Sequence, residues 1–334
     1  MRFLVTGAAG FIGFHLARRL LDDGHEVDGL DGFTPYYDPA LKQRRHALLL
    51  ERGNYRGHVA MLEDAAALAA IVAEARPQIV VHLAAQPGVR YSVENPHSYV
   101  GSNVVGTLNL LEALRARPAD HLMIASTSSV YGANKVPFGE TDRTDHQLSL
   151  YAATKKATEA MAHAYAHLWR QPTTVMRLFT VYGPWGRPDM ALFKFTRGIL
   201  AGTPIDVYNA GRMQRDFTFV DDVVEAMVRL AGALPHEASA DGLTDDPSAS
   251  PAAPYRVVNV GGGSCVELGD YIAAIEAAAG RKAVRNDVSM QMGDVAATQA
   301  STAVLARLTG FRPATDVRDG VQAFVAWYRD YYGV

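Results

Sequence analysis

Phe3-Leu4-Val5-Thr6-Gly7-Ala8-Ala9-Gly10-Phe11-Ile12-Gly13 opens the chain. A short apolar run ends in three glycines spaced by two residues each, and helical spacing begins at 14–21. A strand, a glycine turn and a helix in this order let backbone amides and a helix N-terminus approach a pyrophosphate. The three glycines do different jobs. Gly7 permits the tight turn, Gly10 removes a side chain where the phosphate would sit, and Gly13 lets the helix pack closely on the strand. The spacing is Gly-x-x-Gly-x-x-Gly, not the Gly-x-Gly-x-x-Gly of the general fingerprint, so a glycine turn with no ligand keeps a share of the reading. Asp31 weighs against that. It ends a second strand at 26–30, eighteen residues past Gly13. A carboxylate there can accept hydrogen bonds from an adenosine ribose and would repel a 2′-phosphate, which favours NAD over NADP.

Outward from this unit, strand character returns at 78–83, 121–125, 173–178 and 255–260, with helical patterns at 102–116 and 149–169. The alternation predicts an α/β fold: a Rossmann-type doubly wound parallel sheet with a smaller C-terminal α/β substrate-binding lobe. Residues 1–180 are mainly the NAD-binding part, 215–231 and 255–262 return to it, and 181–334 are mainly the lobe. Pro184, Pro188 and Pro204 interrupt the pattern where the lobe begins. The stretch 235–254, rich in Ala, Ser, Asp and Pro, reads as a mobile surface loop, and 321–331 as a closing amphipathic helix.

The 334 residues carry a formal net charge of −3 with no long block of like charge, which argues against nucleic-acid and membrane-surface partners and for small molecules. Cys265 is the only cysteine, so neither an intrachain disulfide nor a cysteine-rich metal site is available. Met1-Arg2 runs straight into the first strand and no apolar run is long enough to span a bilayer, so a cytoplasmic protein without a membrane anchor is expected.

Proton chemistry is suggested by Ser126-Thr127-Ser128-Ser129-Val130-Tyr131-Gly132 and, further on, Tyr151-Ala152-Ala153-Thr154-Lys155. A phenol with an ordinary pKa of about 10 is a poor base near neutrality. If the second segment is helical, Lys155 shares a face with Tyr151, and its ammonium would lower the phenol's pKa. Thr127 would orient a substrate hydroxyl or carbonyl. Tyr-x-x-x-Lys alone is common on exposed helices; its place after a dinucleotide turn is what gives it weight.

These residues resemble the extended short-chain dehydrogenase/reductase superfamily over essentially the whole chain. Four longer stretches are similar to UDP-glucuronate 4-epimerases: Asp31-Gly32-Phe33-Thr34-Pro35-Tyr36-Tyr37-Asp38-Pro39, His82-Leu83-Ala84-Ala85-Gln86-Pro87-Gly88-Val89-Arg90-Tyr91-Ser92, Arg177-Leu178-Phe179-Thr180-Val181-Tyr182-Gly183-Pro184-Trp185-Gly186-Arg187-Pro188-Asp189-Met190-Ala191 and Met213-Gln214-Arg215-Asp216-Phe217-Thr218. The resemblance implies Thr127, Tyr151 and Lys155 as the catalytic set. It implies an NAD site lined by Gly7, Gly10, Phe11, Ile12, Gly13, Asp31, Met61, Leu62, Leu83, Ala84, Ala85, Gln86, Asn103, Ala125 and Phe179, together with Tyr151 and Lys155. It further implies a UDP-sugar site: Arg187, Ser128, Ser129 and Thr180 around the sugar carboxylate, Arg215 at the diphosphate, Asp294 at the uridine ribose, Tyr208 against the uracil, and Gly88, Val89, Arg90 and Val207 on its walls. An arginine with hydroxyls suits a carboxylate. The implied reaction is C4 epimerisation of UDP-glucuronate to UDP-galacturonate through a 4-keto sugar, with tightly bound NAD regenerated each cycle. A homodimer through the helices 103–116 and 149–169 is implied too.

Two positions depart from the family. Met61 stands where an aspartate usually contacts adenine, leaving backbone and apolar contact to hold it, and Met292 replaces the proline before Gly293. Competing chemistries are legible at one place. Related 4,6-dehydratases carry an Asp-Glu pair after the threonine and glucuronate decarboxylases a glutamate at the position of Ser129; Ser128-Ser129 has neither acid. A neutral UDP-hexose epimerase and a non-catalytic NAD-binding regulator are the other readings, weighed against by Arg187 and by the complete Thr127, Tyr151 and Lys155 set. His163 and His167 have a spacing that can bind zinc, but no Glu follows His163, so a structural role is expected and no metal.

Overall fold

The computed structural model describes residues 1–236, 246–289 and 295–334. Seven strands form one all-parallel sheet: β1 (Arg2–Thr6), β2 (Glu26–Asp31), β3 (Tyr55–Val59), β4 (Ile79–His82), β5 (His121–Thr127), β6 (Thr173–Leu178) and a seventh, Tyr255–Val260. Their spatial order is seventh, β6, β5, β4, β1, β2, β3. β4 and β5 are buried along their whole length, as strands covered on both faces must be. On one face α1 (Phe11–Asp22) and the helix Val220–Gly232 share a core with β1 and the seventh strand. The other face is covered by the helices Ala65–Ala75, Gly106–Ala116 and Leu150–Trp169. The fold is a Rossmann-like doubly wound sheet.

Chain order reverses at β1, which pairs with β2 on one side and β4 on the other. Such a switch point leaves a crevice beyond the carboxyl ends of the strands. Thr6 stands level with both Leu30 and His82, so the residues after each, Gly7, Asp31 and Leu83, emerge together at that rim. Opposite it lies a smaller layer: the strand Ile205–Tyr208 pairs in parallel with Arg285–Val288 and packs with the helices Ala191–Ala201, Leu268–Ala279 and Val317–Tyr332.

The segment 235–254 departs from the mobile loop read from its composition. Residues 237–245 lie outside the described residues, but 246–254 is packed: the Ser250 amide donates to Tyr255 O at 2.7 Å, and Ala253 is fully buried. The two helix histidines hold it there. His163 Nε2 meets Ser250 Oγ at 2.8 Å and His167 Nδ1 donates to Ala252 O at 2.7 Å. The i, i+4 pair is thus a tether for the turn before the seventh strand, as its structural reading expected.

Two other histidines are buried in the sheet as neutral rings. His82 sits between the hydroxyls of Thr6 and Thr107, at 2.7 and 3.1 Å, and His121 Nδ1 donates to Ala231 O at 3.2 Å. Burial holds their pKa values down at about 3 and about 4 respectively, against an ordinary 6.5. Unfolding therefore takes up protons below pH 6.5, and the stability these rings contribute, complete above that pH, is lost progressively as pH falls toward about 4 for His121 and about 3 for His82. Urea midpoints measured between pH 7 and pH 4 should fall steadily, and His121→Asn should flatten part of the slope.

Candidate active site

A cleft of about 1030 Å³ runs along the carboxyl rim of the sheet and under the smaller layer. On its sheet side the glycine turn is shaped by backbone. Gly7 has φ +73°, and a Cβ on it would stand 2.9 Å from the Ala84 nitrogen. A Cβ on Gly10 would come within 2.9 Å of the Gly7 carbonyl oxygen, and one on Gly13 would overlap that oxygen outright. Gly13 is thus required by the turn itself, more than by the strand beneath it. The Asp31 carboxylate closes this corner, accepting from the amides of Ala9 at 3.1 Å and Phe33 at 2.9 Å. A glycine cradle at a helix N-terminus with a carboxylate beside it fits a dinucleotide lacking a 2′-phosphate. Phe11, Ile12, Met61, Leu62, Leu83, Ala84, Ala85, Gln86, Ala125 and Phe179 line the same cleft. Met61 Sδ rests against Gly32, so an apolar thioether lines the cleft beside Asp31.

Asn103 does not line the cleft. Its side chain is 1% exposed and lies in the π-helical turn Val100–Val105. There Oδ1 accepts from the Gln86 amide at 2.8 Å, while Nδ2 donates to Gln86 O at 3.2 Å and to Thr154 Oγ1 at 3.0 Å. It clamps the loop after β4 to the helix that carries Tyr151.

That helix, Leu150–Trp169, is capped by Ser149, whose hydroxyl accepts from the Ala152 amide at 3.2 Å. Tyr151 and Lys155 therefore lie on its first turns, both facing the cleft, with Thr127 arriving at the end of β5. The strand end is tied to the helix: Ser126 donates to Glu159 at 2.6 Å, and Arg177 donates to both Glu159 oxygens at 2.9 and 2.8 Å. Burial pushes the Tyr151 phenol above its ordinary pKa, opposed by a hydrogen bond with Thr127 and by the charge of Arg187. Lys155 is itself 3% exposed, and burial drops its pKa to about 8 against the opposing charge of Glu159.

Ser128, Ser129, Thr180 and Arg187 line the same cleft, as do Gly88, Val89 and Arg90. Arg187 pairs with Asp189 through two hydrogen bonds of 3.0 and 2.7 Å. Burial works against its charge, but Asp189 outweighs that and holds the pKa above the ordinary value. Tyr208 lines the cleft with the Arg90 guanidinium 4.6 Å from its ring centre. Val207, one residue earlier on the strand, points the other way into the core at 1% exposure, so its side chain forms no part of the wall. Arg215 borders the cleft and donates to Gln214 O at 2.8 Å. Asp294 lies outside the described residues.

The geometry brings a dinucleotide cradle, a phenol, an amine and an arginine into one cleft, and the comparisons agree on the family. The sequence profile of the NAD dependent epimerase/dehydratase family matches residues 3–240. The chain belongs to this family. A probable UDP-glucuronate 4-epimerase of Rhizobium meliloti (strain 1021) is 55% identical over 99% of this chain and 98% of that protein. UDP-glucuronate 4-epimerase 1 of Arabidopsis thaliana is 46% identical over 99% of this chain and 77% of its own length. The solved structure of the UDP-glucuronic acid 4-epimerase of Bacillus cereus with UDP-glucuronic acid and NAD matches with a TM-score of 0.89 at 30% identity, covering 99% of this chain and 100% of that one.

In this member of the NAD-dependent epimerase/dehydratase family, several residues of the site escaped the reading of the sequence as functional positions. Tyr36 and Asp189 reach the cleft and each other, the Tyr36 hydroxyl donating to Asp189 Oδ2 at 3.1 Å. Neither carries a local signal in the sequence for what it touches. Asp216, fully buried, accepts from the amides of Gly262, Gly263 and Ala300 at 2.7, 2.9 and 2.9 Å and so fixes the chain next to Arg215. A charged residue between Arg215 and Phe217-Thr218-Phe219 was the available clue.

Proposed function

We propose that the chain interconverts UDP-glucuronate and UDP-galacturonate at C4, using NAD that stays bound through the cycle. The observation that carries this is the pairing of Tyr151 and Thr127 with Arg187, Ser128, Ser129 and Thr180 in one cleft, with serines and no acid at the two positions that follow Thr127 in the sequence. The relatives named as UDP-glucuronate 4-epimerases support the same substrate. Gly7, Gly10, Gly13 and Asp31 hold NAD, which when bound accepts the C4 hydride and returns it. Thr127 orients the 4-hydroxyl, Tyr151 takes its proton and later gives it back, and the Lys155 ammonium one helical turn away lowers the pKa of the phenol. The 4-keto sugar is a β-keto acid. Arg187 and the three hydroxyls hold its carboxylate so that C–C cleavage does not follow. Arg215 meets the diphosphate, Tyr208 the uracil and Asp294 the uridine ribose, which makes 181–334 the sugar-nucleotide lobe and 1–180 mainly the NAD-binding part.

Turnover of UDP-glucuronate against UDP-glucose tests this. Wild-type kcat/KM should favour the acid by about 100-fold, and Arg187→Ala should erase the preference, since removing one partner of a buried charge pair costs ~3 kcal/mol and leaves Asp189 facing the sugar's charge. A wild-type protein that prefers the neutral sugar would overturn the reading. We also infer a homodimer through the helices Gly106–Ala116 and Leu150–Trp169, whose outer faces, with the adjoining turns, expose Val100, Val105, Leu108, Leu168 and Trp169. Sedimentation should give twice the chain mass at micromolar protein; a monomer there contradicts it.

A further inference from the structure

Arg187 does not meet the cleft as a bare cation. Its Nε and Nη2 donate to the two oxygens of Asp189, at 3.0 and 2.7 Å. The Tyr36 hydroxyl donates to the second of those oxygens at 3.1 Å. All three residues line the cleft, each side chain mostly shielded from solvent. They come from distant parts of the chain. Arg187 and Asp189 belong to the loop before the helix Ala191–Ala201, and Tyr36 to the loop after β2, whose Phe33 amide binds Asp31.

A guanidinium is planar and can receive a carboxylate along more than one edge. Asp189 occupies the Nε–Nη2 edge. Nη1 has no hydrogen-bonding protein partner among the described residues. We propose that Asp189 and Tyr36 are positioning residues: they fix Arg187 by one edge so that the edge bearing Nη1 receives the substrate's carboxylate at a set tilt, which decides whether the 4-keto sugar is reduced or loses carbon dioxide. The inference rests on the epimerase reading above.

The chemistry gives the tilt its consequence. In decarboxylation the C5–C6 bond breaks and carbon dioxide leaves. The electron pair passes into the C4 ketone to form an enolate, and C5 then takes a proton from solvent. The breaking bond must lie along the ketone's π orbitals for the pair to pass. A carboxylate held by a fixed guanidinium edge keeps C5–C6 out of that alignment. An arginine free to rotate about its own long side chain would still attract the carboxylate but would no longer hold its direction. Asp189 anchors two of the three nitrogens, and Tyr36 stops the Asp189 carboxylate from turning with them.

Product partition reads this directly. NAD-loaded wild type, Asp189→Asn and Tyr36→Phe are incubated with UDP-glucuronate, and UDP-galacturonate, UDP-pentose species and carbon dioxide are quantified. Carbon dioxide per turnover should rise roughly tenfold in Asp189→Asn, the weight of one charged hydrogen bond, and by a smaller factor in Tyr36→Phe. A merely structural role would lower kcat and leave the ratio of products as in wild type; that result in active variants overturns the inference alone. Should Asp189→Asn not fold, Tyr36→Phe decides by the same ratio. A wild-type protein that forms no UDP-galacturonate overturns the epimerase reading and this inference with it.

Discussion

Tyr151→Phe should lower turnover of UDP-glucuronate about 10³-fold while leaving the fold and NAD retention intact, the size expected when a positioned acid–base group is removed. The substitution takes away one oxygen. The ring stays on the first turn of a helix capped by Ser149, edge-on to Tyr99 with centroids 6.1 Å apart. Tyr99 is itself held by its hydroxyl, which donates to Pro87 O at 2.8 Å. Packing is therefore unchanged, and what disappears is the group proposed to accept the 4-hydroxyl proton. The Thr127 hydroxyl loses a partner but keeps the Ser129 amide at 3.2 Å. Initial rates by product chromatography measure the effect, with bound NAD measured by absorbance after denaturation. A loss below tenfold would mean that another group takes the proton.

Gly13→Ala should cost about 3 kcal/mol of stability, near the upper end for overpacking, and leave a protein that purifies without NAD. The added Cβ falls on the Gly7 carbonyl, a backbone atom that has little room to move. The turn is pinned on both sides: the Gly7 amide donates to Leu30 O at 2.6 Å, and Ala84 backbone crowds Gly7 from the end of β4. Relief would have to come from lifting α1 off the turn, which displaces the amides of the glycine cradle proposed to meet the pyrophosphate. Gly232→Ala is the control, since nothing lies within 4 Å of a Cβ there and alanine favours the helix it ends. Thermal melts and NAD content of the two variants should diverge; equal behaviour would rule out steric crowding as the reason for the glycine turn.

The parts of this molecule that could be read from sequence are those whose causes are local. Gly7, Gly10 and Gly13 answer to backbone crowding within a few residues, and Tyr151 and Lys155 share a face because a helix turns every 3.6 residues. Strands with mostly apolar or β-branched runs, such as 173–178 and 255–260, were legible for the same reason. The helix read at 102–116 proved to begin with the π-helical turn Val100–Val105, within which Asn103 spends its side chain on Gln86 and Thr154. That exchange joins residues 17 and 51 positions apart, and periodicity carries no trace of it. Asp189 on Arg187, His163 on Ser250 and the inward turn of Val207 are likewise facts of tertiary placement. The strand Tyr55–Val59 escaped because it forms the sheet edge and is half polar, and the helices Ala191–Ala201 and Leu268–Ala279 because they pack on the smaller layer, whose order in space the chain does not announce.

The central claim is that this cleft inverts C4 of a UDP-hexuronate and gives back everything it takes. Purified protein incubated with UDP-glucuronate, with no cofactor added, and followed by proton NMR tests that most directly. The expected result is a stable mixture of UDP-glucuronate and UDP-galacturonate, with carbon dioxide in no more than a small fraction of turnovers and no net accumulation of reduced cofactor. UDP-pentose with stoichiometric carbon dioxide, or unchanged UDP-glucuronate from protein that carries NAD, would contradict it.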